Sequence, residues 1–78
     1  MEQIDLESTV LAWVRYLSAE NMLQVGIRDG KVYEYSGVPD QTYRELLVAE
    51  SKGRYYNHHI RNDFPCQRLH RSTLANEN

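Results

Sequence analysis

The sequence predicts an α+β domain, a three-stranded antiparallel meander followed by two short helices packed on one face, in the order βββαα. Three observations predict it. Residues 10–17 are rich in β-branched and aromatic side chains, residues 22–28 alternate, and a Tyr33-Glu34-Tyr35 strand follows them after an Asp29-Gly30 turn. Beyond Ser36-Gly37 the apolar period changes from that of a strand to that of a helix. Gly53 then divides the helical stretch in two.

The first strand, residues 10–17, places Val14 and Tyr16 on one face and Trp13 on the other. Residues 18–21 form a turn, and the second strand, residues 22–28, carries Leu23, Val25 and Ile27 on a single face. The next turn admits two readings. A two-residue Asp-Gly turn pairs Arg28 with Lys31 and sends Tyr33 and Tyr35 to the face opposite Leu23, Val25 and Ile27. A three-residue loop with Gly30 as a left-handed bulge pairs Ile27 with Lys31 and unites the tyrosines with the apolar set. The second is favoured because it yields one coherent core face.

Pro39 suits the first position of the first helix, and Asp40 suits the positive end of its dipole. Tyr43, Leu46, Leu47 and Glu50 follow at i, i+3, i+4 and i+7, so a stripe that includes Val38 and Ala49 lies on the sheet. Lys52-Gly53 is expected to end this helix, with Gly53 as a left-handed cap. A second helix over residues 54–62 puts Tyr56 and Ile60 on one face, and Phe64-Pro65 stops it. Residues 1–65 thus form a single domain, and residues 66–78 a polar C-terminal tail that frays at its end.

Seventy-eight residues permit one domain. A chain this short buries only about 60–65% of the surface its unfolded form exposes, so self-association would widen a thin stability margin. The single cysteine, Cys66, allows no internal disulfide framework and points to a reducing, cytoplasmic setting. No apolar run approaches a membrane span, and the start MEQIDLES has no signal-peptide character. Charge is unevenly divided. Residues 1–50 hold nine acidic and four basic side chains, whereas residues 51–78 hold five basic and two acidic ones. A formal net charge of −2 argues against a broad phosphate-neutralising surface for long nucleic acids, yet leaves room for a small anion such as a nucleotide.

No nucleophile elbow, Walker loop, dinucleotide glycine pattern or His-Glu-x-x-His motif is present, so the expectation is a non-enzymatic protein without cofactor. His58-His59 and Cys66-x-x-x-His70 supply metal-ligand residue types, but adjacent helical histidines point about 100° apart and do not readily share an ion. No metal site is expected.

Six tyrosines outnumber the single Phe and single Trp, so several tyrosines must serve the core. A buried phenol needs a partner for its hydroxyl, which favours a packed ring with its oxygen at a surface or cleft. Tyr33 and Tyr35 are candidates for that placement, as core residues or as contacts to a base or phosphate. The segment Ser51-Lys52-Gly53-Arg54 leads into a helix N-terminus whose free N–H groups suit an anion, with Lys52, Arg54 and Arg61 adding charge. Asn57 lies one turn before Arg61 on the same face. The alternative is structural: Ser51 and Asn57 cap helix ends, Gly53 makes a turn, and Arg61 pairs with an acid such as Asp63.

Taken together, Tyr33-x-Tyr35, Val38-Pro39, Tyr43, Ala49-x-Ser51-x-Gly53 and Tyr56-Asn57-x-x-Ile60-Arg61, preceded by Ser8 and the strand ending at Tyr16, resemble the KTSC domain over residues 8–64. The family is named after the C-terminal end of some lysyl-tRNA synthetases. The resemblance implies a compact α+β shape and the RNA-binding role proposed for the family. Because similar chains stand alone as small bacterial and phage proteins, it also admits capture of a nucleotide signal.

Two functional expectations result. One is a non-catalytic module, held as a homo-oligomer, that binds a small nucleotide or, alternatively, a short RNA through Tyr33, Tyr35, Ser51, Lys52, Gly53, Arg54, Asn57 and Arg61. The other is a protein-interaction module anchored by an exposed Trp13. If Trp13 is instead covered, the tail residues Leu69 and Leu74 are the candidates to cover it.

Overall fold

The computed structural model describes residues 3–69. Its elements are β1 (Gln3–Asp5), β2 (Leu11–Leu17), β3 (Met22–Ile27), β4 (Val32–Ser36), α1 (Asp40–Val48), α2 (Lys52–His59) and β5 (Cys66–Leu69). The five strands form one antiparallel sheet in sequence order, with both helices on one face.

The α+β class and the two helices agree with the sequence; the strand count does not. Four strands, not three, precede the helices, and a fifth follows them. Both additional strands are edges. β1 offers a single apolar residue, Ile4, opposite Val14, and β5 is mostly exposed along Cys66–Leu69. Short, polar edge strands carry almost no alternating pattern, and their stability comes from the backbone ladder they complete. Residues 66–69, assigned from sequence to the polar tail, therefore pair with β4, with Cys66 opposite Tyr35 and Leu69 opposite Val32. The remainder of that tail, including His70 and Leu74, lies outside the described residues.

The β3–β4 turn takes the three-residue form. The Ile27 N–H donates to Lys31 O at 2.8 Å, and Gly30 has φ of 100°. Leu23 pairs with Tyr35 and Val25 with Tyr33, so the tyrosines share the core face. Leu11, Val14, Tyr16, Leu23, Val25 and Tyr35 meet Val38, Leu46, Tyr56 and Ile60 from the helical side in one buried cluster. Tyr16 is held by its hydroxyl, which donates to Val38 O at 2.7 Å, and by a ring stack on Tyr43 at 4.5 Å.

The helix boundaries differ from expectation. Pro39 is the N-cap of α1 rather than its first residue, and α1 ends at Val48 because Ala49 is already extended. Gly53 does not cap α1. It lies in the first turn of α2, where an added Cβ would meet the Val10 side chain at 3.3 Å and Ser8 Oγ at 3.4 Å. Its small size lets the start of α2 approach the loop before β2.

A bulge between Leu11 and Trp13 turns Trp13 to the outer face while Leu11 and Val14 stay inside. The indole does not project into solvent as expected. It lies over Gly26 on the neighbouring strand, occupying the space a Cβ there would need, and is half-buried. The absent side chain of Gly26 leaves the ring room against the sheet.

Candidate cleft between the sheet edge and the second helix

The eight candidate ligand residues divide between two hollows that share Val10 and Asn57. The first, about 450 Å³, takes Ser51, Lys52, Gly53, Arg54 and Asn57, and faces the Glu7–Val10 loop. Two of its donors serve the fold. Ser51 caps α2 by accepting from the Arg54 N–H at 3.3 Å, and the Lys52 ammonium donates to Ala49 O at 3.2 Å. Glu7 and Glu50 line the same hollow and offset the charge of Lys52 and Arg54. Ser51 thus takes the structural role of a helix cap, and Lys52 and Arg54 stand in a lining that also holds acids.

The second hollow, about 380 Å³, brings together Tyr33, Tyr35, Asn57 and Arg61. β4 presents the tyrosines from the sheet, and the registers of β4 with β3 and β5 fix their positions. α2 presents Asn57 from the opposite wall, and the turn after α2 brings Arg61. The spacing explains this arrangement. Tyr56 and Ile60 point into the core, so Asn57 and Arg61, each one residue later, stand beside the core face at the rim.

Tyr56 is the cleft residue that sequence reasoning left out of the candidate set, having placed it only with Ile60 on one face of the second helix. It is 4% exposed, yet it lines this cleft, and its hydroxyl lies 2.5 Å from that of Tyr35, which is 2% exposed. The rings meet edge to face at 5.8 Å. Two hydroxyls carry two protons, and the bond between them uses one. Cys66, opposite Tyr35, offers only a weakly accepting sulfur for the other. The signal available in the sequence was the excess of tyrosines, which obliges buried phenols to find one another.

Burial pushes both phenols above their ordinary range. For Tyr56 the bond from Tyr35 and the nearby Arg61 guanidinium act in the opposite direction. At the rim, Asp29 is held below the usual carboxylate range, first by the Lys31 N–H at 3.0 Å, and it pairs with the Lys31 ammonium at 3.4 Å. That ion pair is internally compensated, so Arg61 supplies the net positive charge of the lining.

His58 and His59 do not converge. Their ring centroids are 6.5 Å apart, and His59 lies against Tyr55 at 4.5 Å. The Tyr55 hydroxyl donates to Glu45 at 2.7 Å, which ties α2 to α1; burial first, and this bond second, push the phenol up to about 12. Among the described residues no group of three or more metal-ligand side chains converges, and no helix is long and apolar enough to cross a membrane.

The model of the KTSC domain matches residues 7–64, which include both walls of the cleft. The chain belongs to the KTSC family. A KTSC domain protein from Yersinia pestis, solved by crystallography, superposes with a TM-score of 0.84 at 27% identity, over 88% of this chain and 97% of that one. An uncharacterised protein of Stutzerimonas stutzeri is 33% identical over 57 residues, covering 73% of this chain and 80% of the relative. A protein of Tsukamurella paurometabola is 36% identical over 52 residues, 67% of this chain and 78% of the relative. The KTSC match ends at Phe64, so β5, which closes one side of the cleft, lies beyond it.

Proposed function

We propose that this KTSC domain is a non-catalytic binding module for a small phosphate-bearing ligand of nucleotide class, held in the cleft between β4, β5 and α2. The observation that carries the reading is the convergence of Tyr33, Asn57 and Arg61 above the buried Tyr35–Tyr56 hydroxyl pair. Each part has a chemical use. The half-buried Tyr33 ring offers a face for a base, Asn57 a donor and acceptor for its edge, and Arg61 a forked cation for phosphate oxygens.

A volume of about 380 Å³ lies within the roughly 300–1,000 Å³ usual for small-molecule sites. A formal charge of −2, with nine of the eleven acidic residues in the first fifty positions, favours such a ligand over a long RNA strand. On this reading the module acts by holding its ligand, as a sequestering protein in the cytoplasm does.

Replacing Arg61 or Asn57 by Ala is expected to weaken binding of nucleoside monophosphates and diphosphates at least tenfold by isothermal titration calorimetry. Both side chains are exposed and lie outside the core, so the melting temperature should change little. Affinities equal to the parent protein in both variants would remove this cleft as the site.

A further inference from the structure

The outer face of the sheet, away from the helices, is patterned in rows by the strand register. One row runs Asp5, Trp13, Gly26, Val32, Leu69, and the next runs Gln3, Arg15, Gln24, Glu34, Gln67. Trp13, Val32 and Leu69, with Leu17 and Met22 further along, are half-buried apolar residues on a face that no described element covers. From this pattern we infer that a second copy of the chain docks here, its sheet stacked on the first about a two-fold axis that runs along β3.

The strand order and the charges select that axis. The order β1-β2-β3-β4-β5 is centred on β3, so a half-turn about an axis above β3 lays β2 over the partner's β4 and β1 over the partner's β5. Arg15 then faces the partner's Glu34, and Glu34 faces the partner's Arg15. The Trp13 backbone position lies over the partner's Val32, and the two indoles, each resting on its own Gly26, meet at the centre. The perpendicular axis, running along the rows, places Arg15 on Arg15 and Glu34 on Glu34, which like-charge repulsion disfavours. Within one chain Glu34 already accepts from the Gln24 amide at 2.9 Å, which fixes its carboxylate on this face.

Size limits the strength of the contact. Five strands about 4.8 Å apart, of three to seven residues at about 3.4 Å each, give a footprint of roughly 410 Å² per copy. Stable interfaces bury about 800 Å² per partner, so the dimer is weak and depends on concentration.

Sedimentation velocity from about 10 μM to 1 mM tests this, that range bracketing the affinity such a small interface supports. The parent protein should pass from monomer to dimer. Arg15→Glu should raise the dissociation constant at least tenfold, and so should Glu34→Arg, while each keeps the parent circular dichroism spectrum. The double swap Arg15→Glu/Glu34→Arg should restore the dimer. If one variant fails to fold, the other carries the same test. A parent protein that stays monomeric throughout, as when residues 70–78 cover the face instead, overturns the inference, and so does a dimer indifferent to both reversals.

Discussion

Tyr35→Phe and Tyr56→Phe should each lower the unfolding free energy by about 1–3 kcal/mol, and the double variant should recover most of that loss. Each hydroxyl is the other's hydrogen-bonding partner at 2.5 Å, inside a core where neither ring is more than 4% exposed. Removing one oxygen strands its buried partner, whereas removing both leaves an edge-to-face pair of apolar rings of nearly the same shape. Urea denaturation of the four proteins should therefore give a coupling energy approaching the sum of the two single losses. Strictly additive costs would show that the hydroxyls do not depend on each other.

The same pair contributes to the alkaline limit of the fold, beside the raised Tyr16, Tyr43 and Tyr55. Burial raises both phenols, Tyr35 the further, so the folded state keeps protons that the unfolded chain releases from about pH 10. Their contribution is fully present below that pH and is lost as pH rises above it, because the unfolded state then binds fewer protons. The double Phe variant should lose less stability than the parent between about pH 10 and 11.

Gly26→Ala should be destabilising despite the conformational freedom it removes from the unfolded chain. That restriction is worth about 0.4–1 kcal/mol in favour of the variant. Against it, the new Cβ falls on the Trp13 indole, and overpacking of this kind costs about 1–3 kcal/mol, so the steric effect wins. Trp13 is the only tryptophan, so its fluorescence reports the displacement directly, as a red shift in emission when the ring leaves the sheet. With Trp13→Ala in place, the Gly26 substitution should become neutral or stabilising. An unshifted emission spectrum and unchanged stability in Gly26→Ala would mean that the indole does not rest on the glycine.

The strongly patterned elements were legible in the sequence. Leu23, Val25 and Ile27 alternate on one strand, the Tyr43-Leu46-Leu47 stripe has the helical period, and Gly30 allows the bulge turn that sends Tyr33 and Tyr35 to the core. The edges were not. Gln3–Asp5 and Cys66–Leu69 hold their places by pairing with the edges of β2 and β4, and no local preference marks them. Gly53 misled for a related reason. A glycine after a helix suggests a left-handed cap, but here it serves a close approach to Val10 and Ser8, residues more than forty positions earlier.

The candidate site was legible by halves. Tyr33, Tyr35, Asn57 and Arg61 converge, whereas Ser51 and Gly53 serve the start of α2, and Lys52 and Arg54 stand beside Glu7 and Glu50. Which half carried the cleft depended on β5 closing the sheet beside Tyr35, an element with almost no signature of its own. Tyr56 could be recognised as cleft-lining only once its hydroxyl was seen to meet that of Tyr35.

The most direct test is native mass spectrometry of the protein purified, without added ligand, from a nucleotide-rich cell extract, alongside Arg61→Ala prepared identically. The account predicts a discrete adduct of nucleotide mass, one per chain, on the parent protein and its loss from the variant. A bare parent protein that acquires no adduct when nucleotides are then added would contradict it.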